Sequence, residues 1–277
     1  MQTVAIAGVG LIGGSFGLAL KKAGFAGTIL GVSSPATLDA ALQRGAIDER
    51  ATLADAAARA DLIYLAQPIG RILDTLRHVD ADVRAGTLIT DAGSTKGAIV
   101  AAARQHIRRG VFLGGHPMAG KEKRGVGEAD ADLFRGRTYV LTTDDPDALE
   151  MPLAQDFMAW IRRIGAVVVT MGATEHDRVV SFTSHLPQLA ATALAATVAE
   201  QAGDKLAVAG PGLTDTTRLA LSSFELWRDI LATNSGPISE ALTAYIAKLE
   251  HLRDNLRTRE IEGEFEIAAA LAATLRR

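Results

Sequence analysis

The hydrophobic positions of the first 170 residues fall into short, uniformly apolar runs separated by Ala- and Leu-rich segments of helical length. Uniform rather than alternating apolar residues are typical of strands that are buried on both faces of a sheet. Helical segments between the runs, among them Gly14–Ala23, Pro35–Arg44 and Thr95–Arg108, complete a succession of βα units, which predicts a doubly wound α/β sheet with mostly parallel strands. The predicted strands are Thr3–Ala7, Thr28–Val32, Leu62–Leu65, Thr87–Thr90, Val111–Leu113, Thr138–Leu141 and Ala166–Thr170.

After Met171 helical periodicity dominates, and no further strand is expected. Thr174, followed by acidic residues, predicts a helix start capped by the threonine, and Pro187 is expected to kink or split that helix. We therefore predict a sheet domain at residues 1–172 and an all-helical domain at residues 173–277. The last segment repeats apolar residues at helical spacing, namely Ile238, Leu242, Tyr245, Leu249, Leu252 and Leu256.

Composition narrows the class of protein. The 277 residues include 29 Lys and Arg against 32 Asp and Glu, and a net charge of −3 favours neither nucleic acid nor an anionic membrane as a partner. The absence of cysteine excludes disulfides, thiolate metal sites and a cysteine nucleophile, and no metal site is predicted. With no signal peptide and no long apolar stretch, we expect a cytoplasmic protein. The small, Ala-rich helical domain predicts a homodimer, and a self-contained bundle stays equally open.

A glycine-rich turn follows the first strand and opens a helix, with the sequence Gly8-Val-Gly10-Leu11-Ile12-Gly13. Gly8 permits the tight turn, Gly10 lets the backbone approach a pyrophosphate, and Gly13 allows the helix to pack closely on the strand. The free N–H groups of the helix start then face the phosphates. In this context the motif predicts a dinucleotide site rather than a structural turn, and residues 1–172 become a dinucleotide-binding domain.

The second strand is followed by Ser33 and Ser34, where an NAD-specific site usually has Asp or Glu. No carboxylate is present there to hold a ribose 2′-hydroxyl or to repel a 2′-phosphate. This favours NADP or dual use without excluding NAD. The two serines can equally serve as caps of the helix that begins at Pro35.

Two polar segments follow predicted strands and point to the edge where open α/β sheets bind ligands. His116 stands between glycines and Pro117 just after the fifth predicted strand, and such a histidine is a candidate acid or base. Ser94 belongs to the segment 91–96 after the fourth strand, which carries further hydroxyls to the same edge. From these residues alone, a catalytic and a structural role for the pair are equally open.

The order of motifs along the chain resembles that of the prephenate/arogenate dehydrogenase family of tyrosine biosynthesis. The resemblance covers nearly the whole chain, including the helical domain, whereas other dinucleotide-binding enzymes share only the first motif. The motifs are GVGLIGGS at 8–15, DLIYLAQPI at 61–69, DAGSTK at 91–96, GGHPMAG at 114–120, EHD at 175–177, SHLPQ at 184–188, DTTRLA at 215–220 and LWRDI at 226–230.

The resemblance implies roles for individual residues. His116 matches the family's catalytic histidine, which hydrogen-bonds the ring hydroxyl of the substrate, and Ser94 matches the serine that holds this histidine. Arg218 matches the arginine that receives the ring carboxylate, a group that its planar guanidinium suits. Further matches are His176, His185 and Trp227 near the substrate pocket, and the glycine motif with Ala66 and Pro68 at the dinucleotide.

The implied reaction is an NAD(P)-dependent oxidative decarboxylation of a small-molecule cyclohexadienol. Neutral His116 draws the hydroxyl proton as hydride leaves the same carbon, and loss of CO₂ makes the ring aromatic. Prephenate would give 4-hydroxyphenylpyruvate, and arogenate would give tyrosine. A pyruvyl carboxylate needs a cation, so Lys121, Lys123 and Arg124 favour prephenate weakly.

Other interpretations stay open. A β-hydroxyacid type of dehydrogenase would need a catalytic lysine in the helical domain, where Lys205 and Lys248 lie in no matching motif, and a non-catalytic dinucleotide sensor would bind cofactor without turnover. Several matched residues also have structural alternatives: His185 can satisfy carbonyls freed at Pro187, Trp227 can pack in a helix, Arg218 can pair with Asp215, and the basic residues near 121–124 can be a solvated loop.

Overall fold

One eight-stranded sheet forms the N-terminal part of the chain. The computed structural model describes residues 1–121, 123–143, 145 and 147–276, and the strand order within them is β3-β2-β1-β4-β5-β6-β7-β8. The first six strands are parallel, β7 is antiparallel to β6, and β8 is parallel to β7. The strands are β1 (Thr3–Ala7), β2 (Thr28–Val32), β3 (Glu49–Arg50), β4 (Leu62–Leu65), β5 (Leu88–Asp91), β6 (Val111–Pro117), β7 (Thr138–Thr142) and β8 (Val167–Met171).

Helices connect the strands and make up the rest of the chain. Within the described residues, the helices are joined by a π-helical turn at Ser181–His185 and by four 3₁₀ turns, at Val79–Ala81, Val126–Glu128, Gly203–Val208 and Arg218–Leu221. The α-helices of the described residues are α1 (Leu11–Lys22), α2 (Pro35–Gln43), α3 (Leu53–Arg59), α4 (Ile69–Leu76), α5 (Gly97–His106), α6 (Asp147–Glu150), α7 (Pro152–Arg163), α8 (Ala173–Val180), α9 (Leu186–Ala202), α10 (Pro211–Thr217), α11 (Phe224–Thr233), α12 (Ser235–Asp254) and α13 (Glu262–Leu275).

The predicted fold class is confirmed, and all seven predicted strands are present. The sheet has an additional short strand, Glu49–Arg50, whose two exposed charged residues gave no apolar signal. The predicted helix cap at Thr174 is wrong, because Gly172 is the N-cap and Thr174 lies inside α8. A π-helical turn directly before Pro187 separates α8 from α9, in agreement with the predicted interruption.

The fifth predicted strand is longer than expected, because β6 continues to Pro117 by pairing antiparallel with β7. Gly114 and Gly115 suggested a loop from sequence, but glycine within a strand often marks a close approach of another chain segment. A Cβ on Gly115 would lie 2.5 Å from the carbonyl oxygen of Asp91. His116 therefore lies inside a strand and not in a loop after it.

The core consists of two apolar layers, one on each face of the sheet. Phe16 of α1 stacks on Tyr64 of β4 with ring centroids 4.1 Å apart, and Phe157 of α7 packs edge-on against Phe16. The opposite layer joins α3, α4 and α5 to the sheet, and Ile230 of α11 reaches into it from the helical region. The helical region is thereby joined to this layer, with α11 lying against α4 and α8 against α5.

Many apolar side chains of the helical region are exposed in the single chain, including several on α13. Within the described part of the chain, no helix is long and apolar enough to cross a membrane.

Candidate active site

The glycine-rich turn forms the floor of a cavity of about 570 Å³ at the carboxyl ends of β1 and β2. Gly8 has a φ of +92°, and a Cβ there would lie 2.5 Å from the carbonyl oxygen of Ala66, so only glycine fits. A Cβ on Gly13 would collide with the carbonyl oxygen of Gly8, which explains the close packing of α1. Gly10 lines the cavity and faces open space. These residues fit a dinucleotide with its pyrophosphate over the start of α1.

A second cavity of about 700 Å³ adjoins the first and lies between the sheet and α11. The two cavities share Ala66, Gln67 and Pro68, which follow β4. A dinucleotide can therefore run from one cavity into the other past this turn. The described residues that line the second cavity include Leu11, Ile12, Ser94, His116, Lys121, Lys123, Arg124, Leu226 and Asp229.

His116 reaches this second cavity from β6 and is nearly buried, with 7% of its surface exposed. Its Nδ1 lies 2.8 Å from Nε2 of His176. The Nδ1 of His176 in turn lies 2.8 Å from Oδ1 of Asp177. The three side chains form a hydrogen-bonded series that runs from the cavity wall into the protein.

Asp177 is held at the start of α5. The backbone N–H groups of Lys96 and Gly97 donate to its two carboxylate oxygens, each over 2.7 Å. Burial by itself raises the pKa of Asp177, but the hydrogen bonds from His176 and from the two N–H groups outweigh burial and lower the pKa. Asp177 is therefore a carboxylate at neutral pH.

A buried ion pair contacts the backbone of β6, the strand that carries His116. The Lys96 Nζ donates to Asp91 Oδ2 and, over 2.7 Å, to the carbonyl oxygen of Gly115, and both charged side chains are fully buried. The Gly115 N–H donates to Asp91 Oδ1 over 3.1 Å. Lys96 and Asp91 thus connect β5, α5 and β6 immediately beside the histidine.

The surroundings of His116 favour its neutral form. Burial is the main cause that lowers the pKa of His116 well below the ordinary histidine value, and His176, Lys96 and His185 lower it further. Burial also lowers the pKa of His185 to about 4, although Asp177 opposes this shift. Neutral imidazole is the form that a general base requires.

The structure places the predicted site residues at different depths. Ser94 lines the same cavity as His116, but among the described residues the hydrogen-bond partner of the His116 ring is His176. His176 is fully buried, and it is not among the described residues that line either cavity. Arg218 is exposed on the turn whose last residue, Leu221, lines the second cavity.

The rings of His185 and Trp227 pack against each other, and neither residue is among the described residues that line the two cavities. Their rings meet edge to face with centroids 5.7 Å apart, and His185 is 1% exposed. The Nδ1 of His185 lies 3.2 Å from Nδ2 of Asn234, so a side-chain amide and not a carbonyl freed by Pro187 meets this nitrogen. The Nε1 of Trp227 is buried without a hydrogen-bond partner among the described residues.

The predicted cofactor residues divide between the two cavities. Ser33 and Ser34 line the first cavity, and Ser34 is the N-cap of α2 by position, although its hydroxyl contacts Thr37 and not a backbone N–H. The first cavity is lined by Gly8, Gly10, Ser33, Ser34, Ala66 and Pro68, and the second by Leu11, Ile12, Ala66 and Pro68.

Sequence reasoning missed four residues that the fold brings to the site: Asp177, Lys96, Arg71 and His78. Arg71 and His78, on and just after α4, line the first cavity with Ser33 and Ser34. Their signal in the sequence was weak, because basic residues in an exposed helix are ordinary. Asp177 and Lys96 were present in the quoted motifs, yet only tertiary contacts reveal their partners.

Together, a glycine-rich turn at the end of β1, two adjoining cavities and a buried neutral histidine define a dinucleotide-dependent dehydrogenase with a helical C-terminal region. Family models described as "Prephenate dehydrogenase, nucleotide-binding domain" and "Prephenate dehydrogenase, dimerization domain" match residues 16–170 and 172–273. The chain belongs to the prephenate dehydrogenase family.

Individual relatives agree with this assignment. A prephenate dehydrogenase of Lactococcus lactis subsp. cremoris is 34% identical over 275 residues, which is 96% of this chain and 75% of the relative. The crystal structure of prephenate dehydrogenase from A. aeolicus with hydroxyphenyl propionate and NAD⁺ has a TM-score of 0.86 at 31% identity, covering 100% of this chain and 97% of that one. Synechocystis arogenate dehydrogenase gives 0.84 at 28% identity, covering 99% and 100%.

Proposed function

We propose that this chain catalyses the NAD(P)-dependent oxidative decarboxylation of prephenate to 4-hydroxyphenylpyruvate and CO₂. The observation that carries the proposal is the buried, neutral His116 in the wall of the cavity that adjoins the glycine-rich turn. The second candidate is arogenate, since relatives include an arogenate and a cyclohexadienyl dehydrogenase.

His116 acts as the general base. Its ring accepts the proton of the substrate hydroxyl, and the pKa lowered by burial keeps it ready for this proton at neutral pH. Ser94 lies on the same cavity wall and can hydrogen-bond the same hydroxyl. A bound nicotinamide dinucleotide supplies the hydride acceptor, and Gly8, Gly10 and Pro68 position it.

The substrate's two carboxylates need two cationic positions. Arg218 remains our candidate for the ring carboxylate, because the turn that carries it ends at the cavity and is tied to α9 by a 2.9 Å hydrogen bond from Gln188 to the Leu219 carbonyl. Lys121 and Lys123 also line this cavity, where Lys121 pairs with Asp130 over 2.9 Å, and a pyruvyl carboxylate suits their charge better than an amine does. This arrangement supports prephenate over arogenate.

Initial rates with prephenate or arogenate, each with NAD or NADP, test the proposal. We expect the highest kcat/KM with prephenate, and a tenfold ratio between substrates corresponds to about 1.4 kcal/mol of transition-state discrimination. The matched variant His116→Asn should still bind cofactor but lose roughly 10²–10⁴-fold in kcat. Near-normal turnover of this variant contradicts the role of His116. Cofactor binding by the wild type without turnover of either ring substrate would favour a sensor instead.

We further propose that the chain uses NADP, or both cofactors. No carboxylate stands directly after β2, and Ser33, Ser34, Arg71 and His78 all line the first cavity. The carboxylate of Asp74 also lines this cavity, but it pairs with Arg77 over 2.8 Å. Two hydroxyls and two basic side chains suit a 2′-phosphate.

Binding of 2′,5′-ADP and of 5′-ADP to the protein without nicotinamide, measured by calorimetry, tests this preference. We expect Arg71→Gln to weaken 2′,5′-ADP roughly tenfold and to leave 5′-ADP unchanged, because only the first ligand carries the 2′-phosphate. Arg59→Gln is the matched control, since Arg59 is an exposed arginine at the end of α3 that does not line the cavity. Equal affinities of the wild type for both ligands would contradict a 2′-phosphate site.

The helical region is our candidate for the homodimer interface, with residues 1–172 as the dinucleotide-binding domain and 173–277 as the helical substrate and dimerisation domain. The exposed apolar side chains of α13 support this role, and the matching family model for this region carries the word dimerization in its description.

A further inference from the structure

We infer that His176 and Asp177 are positioning residues that hold His116 in the tautomer with its proton on Nδ1 and its lone pair on Nε2. The inference deepens the proposed function, because it rests on His116 being the base. Its basis is the series of two 2.8 Å contacts that joins the three side chains.

Asp177, at the inner end of the series, determines which atom donates and which accepts in each hydrogen bond. Both oxygens of Asp177 accept backbone N–H groups from the start of α5, and a carboxylate has no proton to donate. The Nδ1 of His176, 2.8 Å from Oδ1, must therefore be the donor. A neutral imidazole that carries its proton on Nδ1 has an unprotonated Nε2, which can only accept.

The donor and acceptor roles between His176 and His116 follow from this assignment. Since Nε2 of His176 accepts, Nδ1 of His116 must donate across the 2.8 Å between them. The proton of neutral His116 is then on Nδ1, and Nε2 keeps its lone pair. This second nitrogen has no hydrogen-bond partner within the described part of the chain, and the side chain lines the cavity. The lone pair is thus available to a hydroxyl bound there.

A doubly protonated His176 would reverse the series, because both of its nitrogens would donate and the proton of His116 would move to Nε2. In that case His116 would show an Nε2–H tautomer, which the NMR measurement below detects.

The series matters because the bond made by one imidazole nitrogen determines which nitrogen carries the proton. Without an acceptor at Nδ1, the ring is free to carry its proton on Nε2, where the substrate proton must arrive. In the proton transfer the substrate O–H bond breaks and an N–H bond forms at Nε2. Asp177 then stabilises the resulting imidazolium charge through His176.

Long-range ¹H–¹⁵N correlation NMR of the whole, ¹⁵N-histidine-labelled protein measures the tautomers of its six histidines without substrate. His116→Asn identifies the His116 signals by their loss. We expect an Nδ1–H tautomer for His116 and for His176 in the wild type. An Nε2–H tautomer at His116 overturns the inference, whatever any variant does.

Two substitutions of one residue separate positioning from simple packing. His176→Gln keeps an amide oxygen that can reach His116 Nδ1, whereas His176→Leu has no acceptor. We expect the leucine variant to shift His116 toward the Nε2–H tautomer and to lower kcat roughly 100-fold with KM changed less than about threefold. The glutamine variant should recover the Nδ1–H tautomer and at least tenfold of the lost kcat.

Thr95→Val is the matched control, because Thr95 is fully buried beside the same helix start and its hydroxyl lies 2.7 Å from that of Thr233, outside the series. It should leave the His116 tautomer unchanged. A folded leucine variant with wild-type tautomer and kcat overturns the inference. If the leucine variant does not fold, the His116 tautomers in the wild type and in His176→Gln still test the inference. An Nδ1–H tautomer without turnover of any cyclohexadienol would contradict the proposed function alone.

Discussion

At the scale of single residues, the least expected feature of the site is the fully buried Lys96. Its ammonium group contacts the Asp91 carboxylate and the Gly115 carbonyl, one residue before the base. Burial lowers the pKa of Lys96, and Asp91 opposes this shift by favouring the charged form. Removing one partner of such a pair leaves an uncompensated buried charge, which costs more than the pair contributes.

We predict that Lys96→Met lowers the free energy of unfolding by about 3–5 kcal/mol in urea titrations. The exposed pair of Arg77 and Asp74 offers the control, and Arg77→Met should cost less than about 1 kcal/mol. Adding Asp91→Asn to Lys96→Met should recover part of the loss, because the unpaired charge disappears. Equal effects of the two single lysine and arginine variants would contradict the prediction.

At the scale of elements, the turn between β1 and α1 depends on the neighbouring end of β4. Two separate features favour glycine at position 8, namely its positive φ and the nearby carbonyl of Ala66, which leaves no room for a Cβ. Gly45 also has a positive φ, of +71°, but a Cβ there would meet nothing within 4 Å. A substitution of Gly45 therefore tests backbone strain alone, whereas a substitution of Gly8 tests strain together with a steric collision.

We predict that Gly45→Ala costs about 1–2 kcal/mol of unfolding free energy, the cost of a left-handed backbone alone. Gly8→Ala should cost more, since the methyl group must also displace Ala66, and it should weaken dinucleotide binding because the turn lines the first cavity. Urea unfolding and cofactor titration measure the two effects. Equal costs with unchanged binding would show that the close approach does not matter.

At the scale of the whole molecule, the second cavity exists only where the helical region meets the sheet. The Gly70 N–H at the start of α4 donates to Asp229 of α11 over 3.0 Å, and both elements line this cavity. In α13, Ile267, Leu271 and Leu275 recur at four-residue spacing and are 60–77% exposed in the single chain. Such an apolar stripe is typical of a helix that packs against a partner.

We predict that the wild type sediments as a dimer and that Leu271→Glu weakens self-association at least tenfold, or about 1.4 kcal/mol. Glu266→Lys on the same helix is the control, because it changes the charge without removing apolar area. Sedimentation velocity over a concentration series measures both variants. A wild-type monomer at all concentrations, or unchanged association of Leu271→Glu, would contradict a role for this stripe.

The amino-acid pattern alone was enough for the fold class, the seven principal strands and the glycine-rich turn. These features depend on local periodicity and on positions such as Gly8, where one residue type satisfies the backbone. It also singled out Ser94 and His116, because the carboxyl ends of parallel strands converge on one cavity. The end of β6 was missed, because its pairing partner β7 is distant in sequence.

The contacts of the site were decided by tertiary packing. Asp177 meets the start of α5, His176 meets His116, and Arg71 lines one cavity with Ser33 and Ser34, in each case from separate elements. Hydrogen bonds and desolvation act over a few ångströms. The spacing of these residues along the chain therefore does not show which of them come into contact. Sequence thus determined which chemical groups the protein has, and the packing of helix on sheet determined their partners, their burial and hence their protonation.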